Sequence, residues 1–336
     1  MLRALCSRMK FVLENHSSYP RVGDKPGQQR LRRAVAARER AEIDAAEFAA
    51  TERATVDEVV HEQEHAGIDV VTDGQIRCYD PISYVMGALD GVHINGLLRY
   101  FDTNFYFRQP VVRAAVKRRG SIAGADFDMA SLAARVPVKP VLPGPYTLAR
   151  LSIIESGAYA SVAALAHAIS DALADEVAEL ARAGARVIQI EEPAILQHPE
   201  DIRLLRQLLE PLWAARGSAQ LAVATYFGDA EPLYAQLNSL PADMLALDFT
   251  YSYRLAETIA ATGASKILAL GIVDGRSTRM EDANDVARQI DAVLRHYTLD
   301  AVHLLPSCGL EYLPRDRARA KLELLAHVRR LLTSTP

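Results

Sequence analysis

From about residue 135 onward, short apolar or β-branched runs alternate with longer segments of helical period. Such alternation predicts strand–helix–strand units around a parallel sheet. The predicted strands are Phe11 to Glu14, Ile68 to Thr72, Val138 to Leu142, Val187 to Ile190, Leu221 to Thr225, Met244 to Leu247, Ile267 to Leu270 and Val302 to Leu305. Amphipathic segments separate the last six. In one of them Leu165, Ile169, Leu173, Val177 and Leu180 share a face, with Asp171, Asp175, Glu176 and Arg182 elsewhere. About eight strands with helices between them is the pattern of a (β/α)8 barrel.

The N-terminal third is less regular. Residues 30–64 read as two charged helices broken near Ile43 and Asp44, and residues 80–134 as a long insertion before the third strand. Excursions of that length in a compact domain are usually functional, so the insertion is expected to cap the barrel mouth. No short repeat, low-complexity segment or Gly/Ser linker divides the chain. The expectation is therefore an α/β protein in which residues 1–336 form a single (β/α)8 TIM-type barrel carrying that insertion.

Composition narrows the function. Half of the 336 residues are hydrophobic, enough for a large core. Lys plus Arg number 38 against 42 Asp plus Glu, a net charge of -4, which argues against a nucleic-acid partner. No apolar run approaches the roughly 20 residues of a membrane span, and the N-terminal apolar segment is too short for a signal peptide. A cytoplasmic enzyme acting on a small molecule is expected. Cys6, Cys78 and Cys308 lie far apart without Cys-x-x-Cys spacing, which points to reduced thiols rather than disulfides or a four-cysteine zinc module.

In a barrel, chemistry sits just past the C-terminal ends of the strands. In order, those ends read His16 to Arg21, Asp73-Gly74-Gln75 with Arg77 and Cys78, Pro143 to Thr147, Glu191-Glu192-Pro193, Tyr226 to Asp229, Asp248, Asp274-Gly275-Arg276, and Pro306 to Gly309. Glycine and proline there also serve ordinary turns, and an acidic residue can merely cap the next helix. Glu191 and Glu192 stand out because adjacent carboxylates at an apolar strand end repel each other and lose hydration unless a cation or donor compensates. His16 reads as a base, a ligand or a local hydrogen-bond partner, and Cys308 as a buried thiol or a functional one. Phe101, Phe105, Tyr106 and Phe107, beside Arg99 and Arg108, read either as a stacking surface for a planar ring with an anionic tail or as a packing cluster.

Several segments, in order, resemble the cobalamin-independent methionine synthase family: Ser17-Ser18-Tyr19-Pro20, Gly67 to Gly74, Gly144-Pro145-Tyr146-Thr147, Gln189 to Ala194, and Cys308-Gly309-Leu310. The resemblance spans nearly the whole chain. It implies a catalytic zinc held by a His-x-Cys after the fifth strand, a Glu after the sixth and the Cys after the eighth. Zinc lowers the pKa of a bound homocysteine thiol and keeps a nucleophile available at neutral pH. Here Ala224 and Tyr226 stand at the His-x-Cys positions, Asp248 at the Glu, and only Cys308 is kept. Gln75 stands where the family places an acidic contact to the amino group of homocysteine. Thr225 to Gly228, Gly271 to Arg276 and Tyr100 to Tyr106 resemble the zinc-free N-terminal barrel of the full-length enzymes.

The resemblance implies a methyltransferase acting on a thiol acceptor with a folate- or corrinoid-type methyl donor. Cys308, Asp248 and Glu191 would then be catalytic, and Ser18, Gln75, Glu191, Glu192, Tyr226, Asp274 and Asn104 would bind substrate. Zinc would bind only at a site rebuilt from Cys308 with Asp248, His16 or Cys78. Two further readings stay open. One is a metal-free decarboxylase of the superfamily that includes uroporphyrinogen decarboxylase. The other is a non-catalytic partner of a second, zinc-bearing methionine synthase barrel.

Overall fold

The computed structural model describes residues 9–155, 157–295 and 297–334; Cys6 lies outside them. Seven parallel strands form one sheet in the spatial order β1 (Lys10–Leu13), β10 (Ala301–Pro306), β9 (Ile267–Val273), β8 (Met244–Asp248), β7 (Gln220–Thr225), β6 (Val187–Glu191) and β4 (Val141–Pro143). The five predicted runs from Val187 onward appear as strands lengthened at one or both ends. The third begins only at Val141, because Pro137 and Pro140 supply no N–H for a longer ladder.

The predicted second strand, Ile68 to Thr72, is reduced to two single-residue parallel bridges, Glu14 with Val70 and Val71 with Val138. The Val70 amide donates to the Leu13 carbonyl at 3.0 Å, and the Lys139 amide to the Val71 carbonyl at 2.8 Å. This segment thus lies between β1 and the residues entering β4, the two edges of the sheet.

Side-chain alternation along the strands separates two cores. On one face, residues such as Ile188, Ile190, Val223, Leu245 and Leu270 join the large cluster shared with the helices. On the other, Val187, Ala222, Ala224, Met244, Ala246, Ala269 and Leu305 form a smaller cluster of mostly compact side chains. Gln189 shares that second face. Its Oε1 accepts from Lys139 Nζ at 2.7 Å, Lys139 pairs with Glu14 at 2.6 Å, and His303 Nδ1 meets the other Glu14 oxygen. Burial alone would raise the Glu14 pKa, but the charges of Lys139 and His303 outweigh it and hold the carboxyl at about 2.

Two helices, Arg30–Glu39 and Ala45–His65, occupy the region of charged helical period. They break where Asp44 starts the second. Its carboxylate accepts from the Glu47 amide at 2.8 Å, and Glu47 reaches back to the Asp44 amide at 3.1 Å, a capping box. Asp44→Ala is expected to lower stability by about 1 kcal/mol. A urea midpoint that does not move would refute this.

Residues 80–134 fold as a helix (Pro81–Gly87), an antiparallel hairpin of β2 (Leu89–Arg99) and β3 (Tyr106–Arg118), and a helix (Gly124–Ala133). The short β5 (Ile153–Ile154) pairs with β3 in parallel. Glu176, fully buried on the helix Val162–Arg182, fixes the base of the hairpin by accepting from Arg118 Nε at 2.8 Å and from the Ile122 and Ala123 amides. Near its turn, Asp102 pairs with Arg276 at 3.2 Å and accepts from the Tyr251 hydroxyl at 2.9 Å. Among the described residues no helix is long and apolar enough to cross a membrane.

Candidate functional site

Beyond the C-terminal ends of β1, β6, β7 and β10 lies a cleft of about 280 Å³, lined by Ser17, Ser18, Gln75, Pro81, Tyr100, Phe105, Glu191, Tyr226, Gly309, Glu311 and Tyr312. Backbone constraints hold its rim. Gln75 has a φ of 53°, in the left-handed region that is costly for a side chain of its size. At Gly309 a Cβ would collide with Ser18 Oγ and crowd Ser17 Oγ, so a larger residue would displace the serine hydroxyls where the turns after β1 and β10 meet.

Glu191 is buried at the end of β6. Its Oε2 accepts from the Tyr226 hydroxyl at 2.9 Å; Oε1 accepts from Gln189 Nε2 at 3.2 Å and lies 3.3 Å from His16 Nδ1. Burial by itself would raise the Glu191 pKa. The contacts from His16, Tyr226 and Ser17 overcome that and keep it below the usual carboxylate range. His16 is shifted down by its own burial, despite the neighbouring Glu191, and also contacts Ser17 Oγ at 3.1 Å. Its ring meets Tyr226 edge-on, and the Tyr226 and Tyr100 hydroxyls are 3.1 Å apart. Glu191 is thus a charged carboxylate on the cleft wall beside an imidazole held toward neutrality. Glu311, half-buried in the same cleft lining, is pushed up to about 7 by burial, with the charge of Glu191 adding to the shift.

Of the substrate-binding residues expected from sequence, Ser18, Gln75, Glu191 and Tyr226 line this cleft. The others sit elsewhere. Glu192 lies outside the cleft lining and accepts from the Tyr146 and Thr147 amides at 3.0 and 2.7 Å, capping the helix Pro145–Arg150; burial pushes its pKa up to about 7. Asn104 is exposed in the hairpin turn. Asp274, half-buried, accepts from the Arg276 amide at 2.8 Å. Asp248 accepts from Thr250 Oγ1 at 2.6 Å and the Thr250 amide at 2.8 Å, and burial pushes its pKa to about 6. Cys308 is fully enclosed, and burial followed by the charge of Asp248 pushes its thiol well above the ordinary range.

A second cavity, of about 420 Å³, shares Gln75 and Pro81 with the first and holds Asp73, Cys78, Tyr84 and Asp126. Asp126 is occupied by Arg77 at 2.6 Å and the Tyr84 hydroxyl at 2.5 Å, while Asp73 is pushed up to about 7, by burial first and the charge of Asp126 second. The Cys78 thiol is also raised, mainly by burial.

Sequence reasoning passed over Glu311 and Tyr312 as cleft residues, and reached Ser17 and Tyr100 only as members of the His16 to Arg21 and Tyr100 to Tyr106 segments. Glu311 and Tyr312 directly follow the recognised Cys308-Gly309-Leu310 turn, so reading two residues further would have reached them. Of the aromatic group, Phe105 lines the cleft, Phe101 packs on Tyr100 with ring centroids 4.7 Å apart, Phe107 is buried, and Tyr106 is exposed.

A parallel sheet packed against helices, with a polar cleft beyond its strand ends, defines an α/β protein of the class whose ligand sites lie at the C-terminal face of the sheet. Comparison with known proteins makes the assignment specific. The cobalamin-independent synthase catalytic domain matches residues 20–330. The chain belongs to the cobalamin-independent methionine synthase family. Methionine synthase of Saccharolobus islandicus is 28% identical over 304 residues, covering 90% of each chain, and that of Saccharolobus solfataricus 29% identical over 265 residues, 77% of this chain and 78% of the other. Among solved structures, a B12-independent methionine synthase from Shewanella sp. W3-18-1 with selenomethionine matches with a TM-score of 0.78 at 21% identity, covering 96% of this chain and 97% of that one. A putative vitamin-B12 independent methionine synthase from Listeria monocytogenes matches with a TM-score of 0.73 at 16% identity, covering 96% and 98%. These two share the fold.

Proposed function

We propose that the chain is a methyltransferase that transfers a methyl group to a small thiol acceptor of the homocysteine type, without a zinc-bound thiol. The observation that carries this reading is the charged Glu191 on the wall of a small cleft, within the Gln189 to Ala194 segment that resembles the family. Ser18, Gln75, Glu191 and Tyr226 line the cleft in which the reactants meet, and Glu311, in the same lining, is placed to take the acceptor's proton. Residues 9–334 act as one unit: residues 70–71 supply the strand that closes the sheet into an eight-stranded barrel, and residues 80–134 cap its mouth. The Glu14–Lys139 pair, joining side chains from the two sheet edges, supports closure. The contacts of Tyr100 and Asp102 with Tyr226 and Arg276 support the cap.

The donor set does not fit zinc. Ala224 offers no ligand atom, the Tyr226 hydroxyl is given to Glu191, and Asp248 is occupied by its own turn. Among the described residues no three His, Cys, Asp or Glu side chains could share a metal ion.

The test is methyl transfer to L-homocysteine from folate, corrinoid and onium donors, with and without a chelator. Product formation that the chelator leaves unchanged is expected. Near-stoichiometric zinc that disappears in Cys308→Ala, with chelator-sensitive turnover, would overturn the zinc-free mechanism. No transfer from any donor class would overturn the methyltransferase reading.

A further inference from the structure

Four aromatic rings, Tyr100, Phe105, Tyr226 and Tyr312, line the cleft together with the carboxyl groups of Glu191 and Glu311. The rings are interlocked. Phe105 and Tyr312 meet edge-on at 5.8 Å, and both Tyr226 and Tyr312 pack edge-on against Phe227, at 4.6 and 5.8 Å. Aromatic faces around a negative charge attract a cation through the ring quadrupoles, and most strongly one that carries little hydration.

The state of Glu191 restricts which cation fits. Its Oε1 and Oε2 are already engaged by Gln189, His16 and Tyr226, so the carboxylate supplies negative charge but few free lone pairs. A primary ammonium brings three N–H donors that need acceptors, whereas a fully alkylated cation needs only the field and the ring faces. From this arrangement we infer that the cleft binds a small methylated onium ion, a quaternary ammonium or a sulfonium, and that this ion is the methyl donor.

The donor role rests on the methyltransferase reading above. In the step, the acceptor thiol passes its proton to Glu311 and its sulfur attacks an onium methyl carbon. A carbon–sulfur bond forms as the bond between that methyl group and the onium centre breaks. The bonding pair stays with the departing amine or sulfide, which leaves neutral. Such a donor needs no prior protonation, which suits a site with no metal to strengthen the nucleophile.

The test uses isothermal titration with tetramethylammonium and tert-butylammonium, ions of like shape and charge that differ in N–H donors. Tetramethylammonium is expected to bind at least tenfold more tightly. Tyr312→Ala should weaken it roughly threefold to thirtyfold, the range of a partly desolvated cation–ring contact, and Tyr312→Phe, which keeps the ring, should not. Equal or tighter tert-butylammonium binding, no onium binding, or Tyr312→Phe as damaging as Tyr312→Ala would overturn the site. Trimethylsulfonium with a thiol should then release dimethyl sulfide. Onium binding without that release would overturn the donor role. Methyl transfer from a folate donor without onium binding would overturn this inference and leave the methyltransferase reading intact.

Discussion

Lys139→Met is expected to lower the unfolding free energy by about 3–5 kcal/mol, because it removes one partner of a buried ion pair and leaves the other charge uncompensated. Lys139 and Glu14 are essentially inaccessible to solvent and 2.6 Å apart, so water cannot replace the lost charge. Gln189 loses a donor at the same time. Exchanging Glu14 and Lys139 together for glutamine and methionine should restore part of the loss, since the uncompensated charge goes with them. Urea denaturation of the two variants measures this, and a single exchange costing under about 1 kcal/mol would contradict it.

The same pair gives a pH dependence with a definite sign. The Glu14 pKa falls from an ordinary 4.5 to about 2 on folding. Its contribution is fully present above pH 4.5 and is lost as the pH drops from there toward 2. Wild-type protein should lose stability through that window more steeply than the doubly exchanged variant.

Glu191→Gln and Glu192→Gln are expected to fail in opposite ways. At position 191 the amide keeps the size but removes the charge facing the cleft, so methyl transfer should fall by about two orders of magnitude, the scale of losing one electrostatic stabiliser. At position 192 the amide replaces one of the two oxygens that accept from the Tyr146 and Thr147 amides by an NH2 donor, so stability should fall by about 1–3 kcal/mol. There the pH dependence runs the other way. The Glu192 pKa rises from 4.5 to about 7, so its contribution is present below 4.5 and fades as the pH climbs to 7. The stability gap between wild type and Glu192→Gln should therefore narrow toward neutral pH. Thermal melts across that range, paired with turnover assays, separate the two residues; equal activity losses at both positions would refute the division.

That division marks how far the sequence could be read. Two neighbouring glutamates look alike in a string of letters, yet alternation along a strand places Gln189 and Glu191 on one face and sends the next residue elsewhere. Applying that rule would have separated them. Strands from Val187 onward were legible because buried parallel strands read as continuous apolar runs. The Ile68 to Thr72 run reads the same way, but its extent depends on partners far along the chain, and only two bridges form. The hairpin was recognised as an excursion and not as strands, since Phe107 to Val116 lacks clean alternation. The Glu14–Lys139–His303 network had a signal that went unused: a lysine set between prolines and valines in an otherwise apolar stretch.

Strand β1 finds its ladder partner in β10, nearly three hundred residues later, with Phe11 opposite Val302. During synthesis, which delivers the N-terminal side of a chain first, Lys10–Leu13 must wait for the segment around Ala301 before one of its edges is covered. Contacts this distant in sequence slow folding and prolong the exposure of sticky intermediates. Yield in a host cell should therefore respond to chaperone supply and growth temperature more than to the stability of the finished fold.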